Sequence, residues 1–202
     1  MLRALLLFAG HIRIRIEGES EAEFTARMAK SLREDLAGLD PDDIWTVLEA
    51  VRRGSTTIGI KTPSFALLAS HIKPVRPLID PAEKIFVIDG HVGATGSGYI
   101  GDILQLIEEL RLEAQKHRLS FESPIDVGSL AKHLGSFLHN YTIYAVRPQA
   151  ASVIVAGVDQ MGVQLYQVDP SGTFMRGSGF AIGQSSDIAL DVVQREYSAD
   201  MS

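Results

Sequence analysis

The chain has 202 residues, a formal net charge of −6 and no cysteine. That length suits one domain, or one domain with a small added piece, and 46% hydrophobic against 22% charged residues supports a real core rather than disorder. The acidic balance argues against a dedicated nucleic-acid binder. The absence of cysteine removes disulfides, thiolate metal sites and cysteine nucleophiles, and is compatible with an intracellular setting.

The opening residues 1–10 (MLRALLLFAG) hold an apolar run too short, and without the small-residue cleavage pattern, for a secretion signal. They run into 11–16 (HIRIRI), whose strict alternation reads as an amphipathic, N-terminal buried strand. Nothing approaches the roughly 20 apolar residues of a spanning helix, so no membrane association is expected. Ser20 with Glu23 reads as a capping box opening a helix that carries Phe24, Met28 and Leu32, and Gly38 and Pro41 punctuate its end. A second helix is expected over 42–53, with Ile44, Trp45, Leu48 and Val51 on its apolar side.

After Gly54 the pattern turns to short strands: 56–61 and 65–70 around Thr62-Pro63-Ser64, then 84–88 and 91–95 joined at Asp89-Gly90. A long helix over 99–118 should bury Ile100, Ile103, Leu104, Ile107 and Leu110, with Glu108, Glu109, Glu113 and Lys116 outside. Asp126 opens a further helix over 127–141 carrying Leu130, Leu134, Phe137 and Leu138. Strands follow at 151–158 and 164–168, and another from Thr173 after the turn at Asp169-Pro170-Ser171-Gly172. A helix over 186–196 comes last. Strands in pairs and helices in pairs indicate an α+β layered architecture rather than alternating βαβ units.

Three features bear on chemistry. The glycine-rich stretch 93–98 (GATGSG) lies where phosphate loops occur, but lacks the Lys-Ser/Thr ending and the dinucleotide spacing. It reads as tight backbone geometry between strand and helix. The histidines at 11, 71, 91, 117, 133 and 139 never fall at H-x-x-x-H spacing, and His133 and His139 point to different faces of one helix, so no metal site is expected. Gly54-Ser55-Thr56-Thr57 is the sharpest motif: hydrolases with an N-terminal nucleophile use a Ser or Thr freed by cleavage after such a glycine, its new α-amine serving as base. With fifty-four residues ahead of it, the Ser55 nitrogen is an amide and cannot serve without processing.

Several segments resemble proteasome subunits of the α type in order and spacing: 49–61 (EAVRRGSTTIGIK), 83–89 (EKIFVID), 95–98 (TGSG) with Asp102, 111–118 (RLEAQKHR), Arg147-Pro148, 156–159 (AGVD), 165–173 (LYQVDPSGT) and 181–183 (AIG). The resemblance covers about residues 48–198. It implies a four-layer αββα sandwich of two antiparallel sheets, the N-terminal nucleophile hydrolase fold, with an atypical strand-helix segment at 1–40, a proteasome α-type domain at 41–202 and a C-terminal part of the family domain missing.

Catalytic β-type relatives need a free Thr, a carboxylate shortly downstream and a Lys. Here those positions hold Ser55, His71 and Lys84, so only the Lys survives and a non-catalytic subunit is implied. The alternative is a peptidase with residues 1–54 as propeptide and Ser55 and Lys84 as its catalytic pair. In α subunits the same Lys meets the C-terminal carboxylate of regulatory ATPases, which implies an activator pocket of Lys84, Gly54, Gly96 and Gly98. The implied partners are other α subunits in a heptameric ring, β-type catalytic subunits and ATPase activator C-termini, in the cytoplasm, with no cofactor. The family's Tyr-Asp-Arg gating segment and its Gln-Val-Glu-Tyr-Ala-like helix are not found in residues 1–47, although Pro41-Asp42 and 45–51 look like a shortened remnant.

Overall fold

A computed structural model describes residues 5–8, 11–14, 41–72, 83–144 and 147–198. The expected helix at Ser20, Glu23, Phe24, Met28 and Leu32, the turn at Gly38 and the end of the strand over 15–16 lie outside those residues. The chain divides into two compact units, Met1–Ile44 and Trp45–Ser202. In the first, β1 (Leu5–Phe8) and β2 (His11–Ile14) pair antiparallel, Leu5 opposite Ile14 and Leu7 opposite Ile12. The single strand expected over 11–16 is thus one arm of a hairpin whose other arm is the apolar opening run.

Helix α1 (Pro41–Arg53) carries into the second unit. It is followed by β3 (Thr57–Lys61) and β4 (Ala66–Ser70), paired antiparallel around a turn in which Thr62 Oγ1 accepts from the Ser64 and Phe65 amides. Next come β5 (Ile85–Asp89) and β6 (Val92–Gly98), whose turn is held by Asp89 Oδ1 accepting from Gly90 N at 2.8 Å. Two consecutive helices follow, α2 (Ile100–Phe121) and α3 (Val127–Tyr144). Asp126 Oδ1 accepts from Ser129 N at 2.8 Å and caps α3. The chain then makes β7 (Ala151–Asp159), β8 (Gly162–Val168), β9 (Phe174–Arg176), β10 (Gly179–Ile182) and α4 (Ser186–Glu196).

The strands of this unit form two antiparallel sheets, β5-β6-β7-β8-β9 and β10-β3-β4. Helices α2 and α3 cover one face of the larger sheet, where Ile103, Leu106, Ile107, Leu110, Leu130, Leu134 and Leu138 close over Val153, Val155 and Val168. The opposite face meets the smaller sheet through Ile154, Ala156, Leu165 and Ile182, with Leu68 and Phe180 against them. Strand parity sends the alternate residues outward. Phe180 faces inward opposite Gly59, while Gly179, opposite Ile60, faces Val193 of α4, and Tyr197 Oη donates to Lys61 O at 3.0 Å. The result is the expected α+β sandwich in four layers, α2/α3, sheet, sheet, α4.

Some details refine the expectations. Among the described side chains of α1, Val47 is buried, while Trp45 is 67% exposed and Leu48 is also open. On α2 the buried stripe is Ile103, Leu106, Ile107, Leu110 and Ala114, and both Ile100 and Leu104 are exposed. The glycine-rich stretch 93–98 forms all of β6 after Val92, with Gly96 against Ile103, and the tight geometry expected where strand meets helix is at Gly98.

Candidate functional site

Helix α1 ends where its last turn meets β6. The Gly54 amide is shared between Ala50 O and Val51 O, and Ser97 Oγ donates to Val51 O at 2.9 Å, pinning the helix end to the sheet. A side chain at Gly54 would overlap Ser97 Oγ and crowd Gly98 N, so the close approach needs glycine there. Beyond it, Gly54 O accepts from Gln184 N at 2.9 Å and Thr56 Oγ1 donates to Gln184 O, tying the α1–β3 junction to the end of β10.

The second wall is the β6–α2 junction. Gly98 sits at φ +130°, and a Cβ on it would run into the Ala150 carbonyl. Tyr99 N donates to that same carbonyl at 2.8 Å. The Ala150 amide is held in turn by Asp102 Oδ2 at 2.7 Å, and Asp102 takes a two-pronged pair from Arg147 at 2.7 and 2.8 Å. Burial by itself would raise the Asp102 carboxyl, but the Arg147 guanidinium and the Ala150 amide together hold it below its ordinary value.

Between these walls lies an open depression of about 660 Å³, lined by Trp45, Thr46, Glu49, Ala50, Arg53, Gly54, Gly98 and Tyr99. Of the residues expected to act together, Gly54 and Gly98 line it. Gly96 does not, because it faces the helices, and Lys84 is not among the lining residues. Lys84 immediately precedes β5, where its carbonyl accepts from Thr95 Oγ1 at 2.6 Å. Sequence reasoning missed Trp45, Glu49, Arg53 and Tyr99 as site residues; their convergence joins segments more than forty positions apart, and no local pattern announces it.

Ser55 is buried, 7% exposed, in a continuous chain whose flanking carbonyl is bonded to Gln184. His71 follows β4, its amide donates to Thr56 O at 2.8 Å, and the residue is exposed. Three further histidines serve the scaffold. His91 bonds Ile125 O, His117 bonds Ser123 O and His133 bonds Glu109 Oε1 at 2.8 Å across α2 and α3. Among the described residues no cluster of His, Asp and Glu has the arrangement of a metal site, and no helix is long and apolar enough to cross a membrane.

Comparison with known proteins agrees with this geometry. The family described as proteasome subunit matches residues 51–202. The chain is 39% identical over 157 residues to proteasome subunit alpha of Methanothermobacter thermautotrophicus, an alignment covering 76% of this chain and 63% of that protein. Proteasome subunit alpha of Methanopyrus kandleri is 39% identical over the same 76% of this chain and 64% of its own length. That of Archaeoglobus fulgidus is 40% identical, over 76% of this chain and 63% of its own. The chain thus spans a little under two thirds of the length of the curated relatives it matches. With the two-sheet sandwich, the helix pair between β6 and β7 and the matched span together, the chain belongs to the proteasome subunit family.

Proposed function

We propose that this chain is a non-catalytic, α-type subunit of a core proteasome in the cytoplasm. It would pack beside other α subunits in a ring above β-type catalytic subunits, restricting substrate entry and receiving the C-termini of an ATPase activator. The observation that carries the reading is the match to relatives named proteasome subunit alpha. His71, at the position where the resemblance puts the activating carboxylate, supports it, because an imidazole does not supply that carboxylate.

Docking of an activator is the finer part of the proposal. Lys84, just before β5, supplies a compact ammonium for a terminal carboxylate, and Gly54 and Gly98 line the depression beside α1. A charge-assisted bond there is worth about 1.5–3 kcal/mol, so Lys84→Ala should weaken activator binding about tenfold or more per site. Lys84→Arg, a planar fork in place of a point charge, should restore only part of it. An activator titration in which Lys84→Ala binds like the parent removes the docking role. The purified protein should also leave short fluorogenic peptides intact. Hydrolysis that disappears in Ser55→Ala, together with an intact mass lacking residues 1–54, would instead establish the processed peptidase.

A further inference from the structure

The five-stranded sheet ends in two edges of different character. Strand β9 is only three residues long and closes on Arg176. Strand β5 is longer, carries no charge before Asp89, and leaves Ile85 and Val87 48% and 71% exposed. An open edge with exposed β-branched residues is a template for pairing with a strand of another chain. Its backbone is turned the right way for that. Phe86 sits opposite Ala94 and directs its carbonyl toward β6, close to Gly93, so the N–H and C=O groups of Ile85 and Val87 point away from the sheet. One of these groups is already taken: Arg111 Nε of α2 donates to Val87 O at 3.0 Å. We propose that Arg111 is an edge guard, occupying the Val87 carbonyl and so keeping β5 from pairing with β5 of a second copy.

Neighbouring contacts hold the guard in place. Glu108 Oε1, one turn earlier on α2, accepts from Arg111 Nη1 at 2.6 Å, so the guanidinium is fixed to its own helix while its Nε engages the strand. Arg118 lies seven residues further along the same side of α2, and its Nη2 donates to Asp89 Oδ2 at 2.6 Å. The two arginines thus strap the middle and the end of β5 to one helix. Between the straps the register of β5 on β6 slips, from Val87 to Asp89, and such an irregularity bends an edge away from flat pairing. A guanidinium on a strand carbonyl removes the acceptor that a neighbouring strand's amide would need. It also places a fixed positive charge where that strand would lie. For a chain proposed to join a ring, an unguarded edge would offer a competing mode of association, and the guard confines contact to other faces.

Sedimentation velocity on the full chain, over a range of micromolar concentrations, tests the guard. Arg111→Ala should show a heavier species that grows with concentration and is missing from the parent, while cooperative urea unfolding is retained. In that species the amides of Ile85 and Val87 should exchange with deuterium about tenfold more slowly than in the parent, or slower still. Adding Val87→Lys to Arg111→Ala should remove the species, because a charged side chain on an edge opposes pairing. Glu108→Ala alters a side chain that is 70% exposed and leaves the arginine present but unpinned. It should give the same species in smaller amount, so the test does not hang on the folding of Arg111→Ala. If both Arg111→Ala and Glu108→Ala sediment like the parent, the guard is wrong. A heavier species that survives Val87→Lys, or that leaves the Ile85 and Val87 amides unprotected, associates through another surface and equally overturns it.

Discussion

Removing the Asp102 carboxylate would strip the Arg147 guanidinium of its partner and leave the Ala150 amide without its acceptor, behind the Gly98–Tyr99 wall. An orphaned buried donor costs about 1–3 kcal/mol, so Asp102→Ala should lower the free energy of unfolding by that amount in urea titrations. The sign of the pH dependence follows from the direction of the shift. Asp102 is held below the ordinary carboxylate value, so its contribution is fully present above the unfolded value of about 4 and is lost as pH falls through the lower folded value. Asp89, bonded by Arg118, and Asp126, bonded by Ser129, are shifted the same way, each against a burial effect that would raise it. Burial raises Asp169 instead, so that group favours the folded state as it takes up its proton. The stability gap between the parent and Asp102→Asn should therefore shrink from pH 7 to pH 3; a gap of equal size at both would remove the charged pair from the account. From sequence, Asp102 and Arg147 stood out only as pieces of a family resemblance. Their pairing across forty-five positions is a product of the fold.

At the scale of elements, what could be read from sequence was whatever is fixed locally. The turn at Asp89-Gly90 and the cap at Asp126 depend on a side chain bonding a backbone amide one to three residues away, and both stand where expected. Helix α4 also spans the residues expected, though no side chain caps its start, where Ser185 sits at φ 62°. Strand β10 was missed because four residues between glycines and a turn carry too little periodicity, and its pairing with β3 is long-range. The stripe of α2 was right at its centre and wrong at its edge for a different reason: Ile103, Ile107 and Leu110 are buried as expected, but periodicity does not fix where the stripe stops, and Ile100 and Leu104 are exposed. On α2 the stripe through Ile103, Leu106, Ile107 and Leu110 is fully enclosed, while Leu104 is 46% exposed. Ile103→Ala should thus cost about 2–5 kcal/mol, whereas Leu104→Ser should change stability by no more than about 0.5 kcal/mol. Equal losses in chemical denaturation would mean that the helix presents the face expected from sequence.

For the molecule as a whole, the decisive question is how much of the chain the sandwich needs. The family match begins at residue 51, and both core clusters of the second unit draw their described members from residues 66 to 182. The first unit, Met1–Ile44, lies outside the match and holds its own hairpin. A two-stranded pair is marginal by itself, whereas the sandwich has its own core. A chain starting at Pro41 keeps α1 whole, with Val47 buried and Val51 O pinned by Ser97. It should retain the far-ultraviolet spectrum of the sandwich and cooperative urea unfolding, with the free energy changed by less than about 1 kcal/mol and a slope reduced only in proportion to the surface removed. Trp45 emission should keep its wavelength, because the walls of its depression lie in the retained part. Association measured by light scattering on the same shortened chain then separates two jobs. Assembly retained would assign it to the sandwich and the exposed Trp45 and Leu48, whereas assembly lost with folding intact would assign it to residues 1–40. Loss of cooperative unfolding in the shortened chain would contradict the two-unit organisation outright.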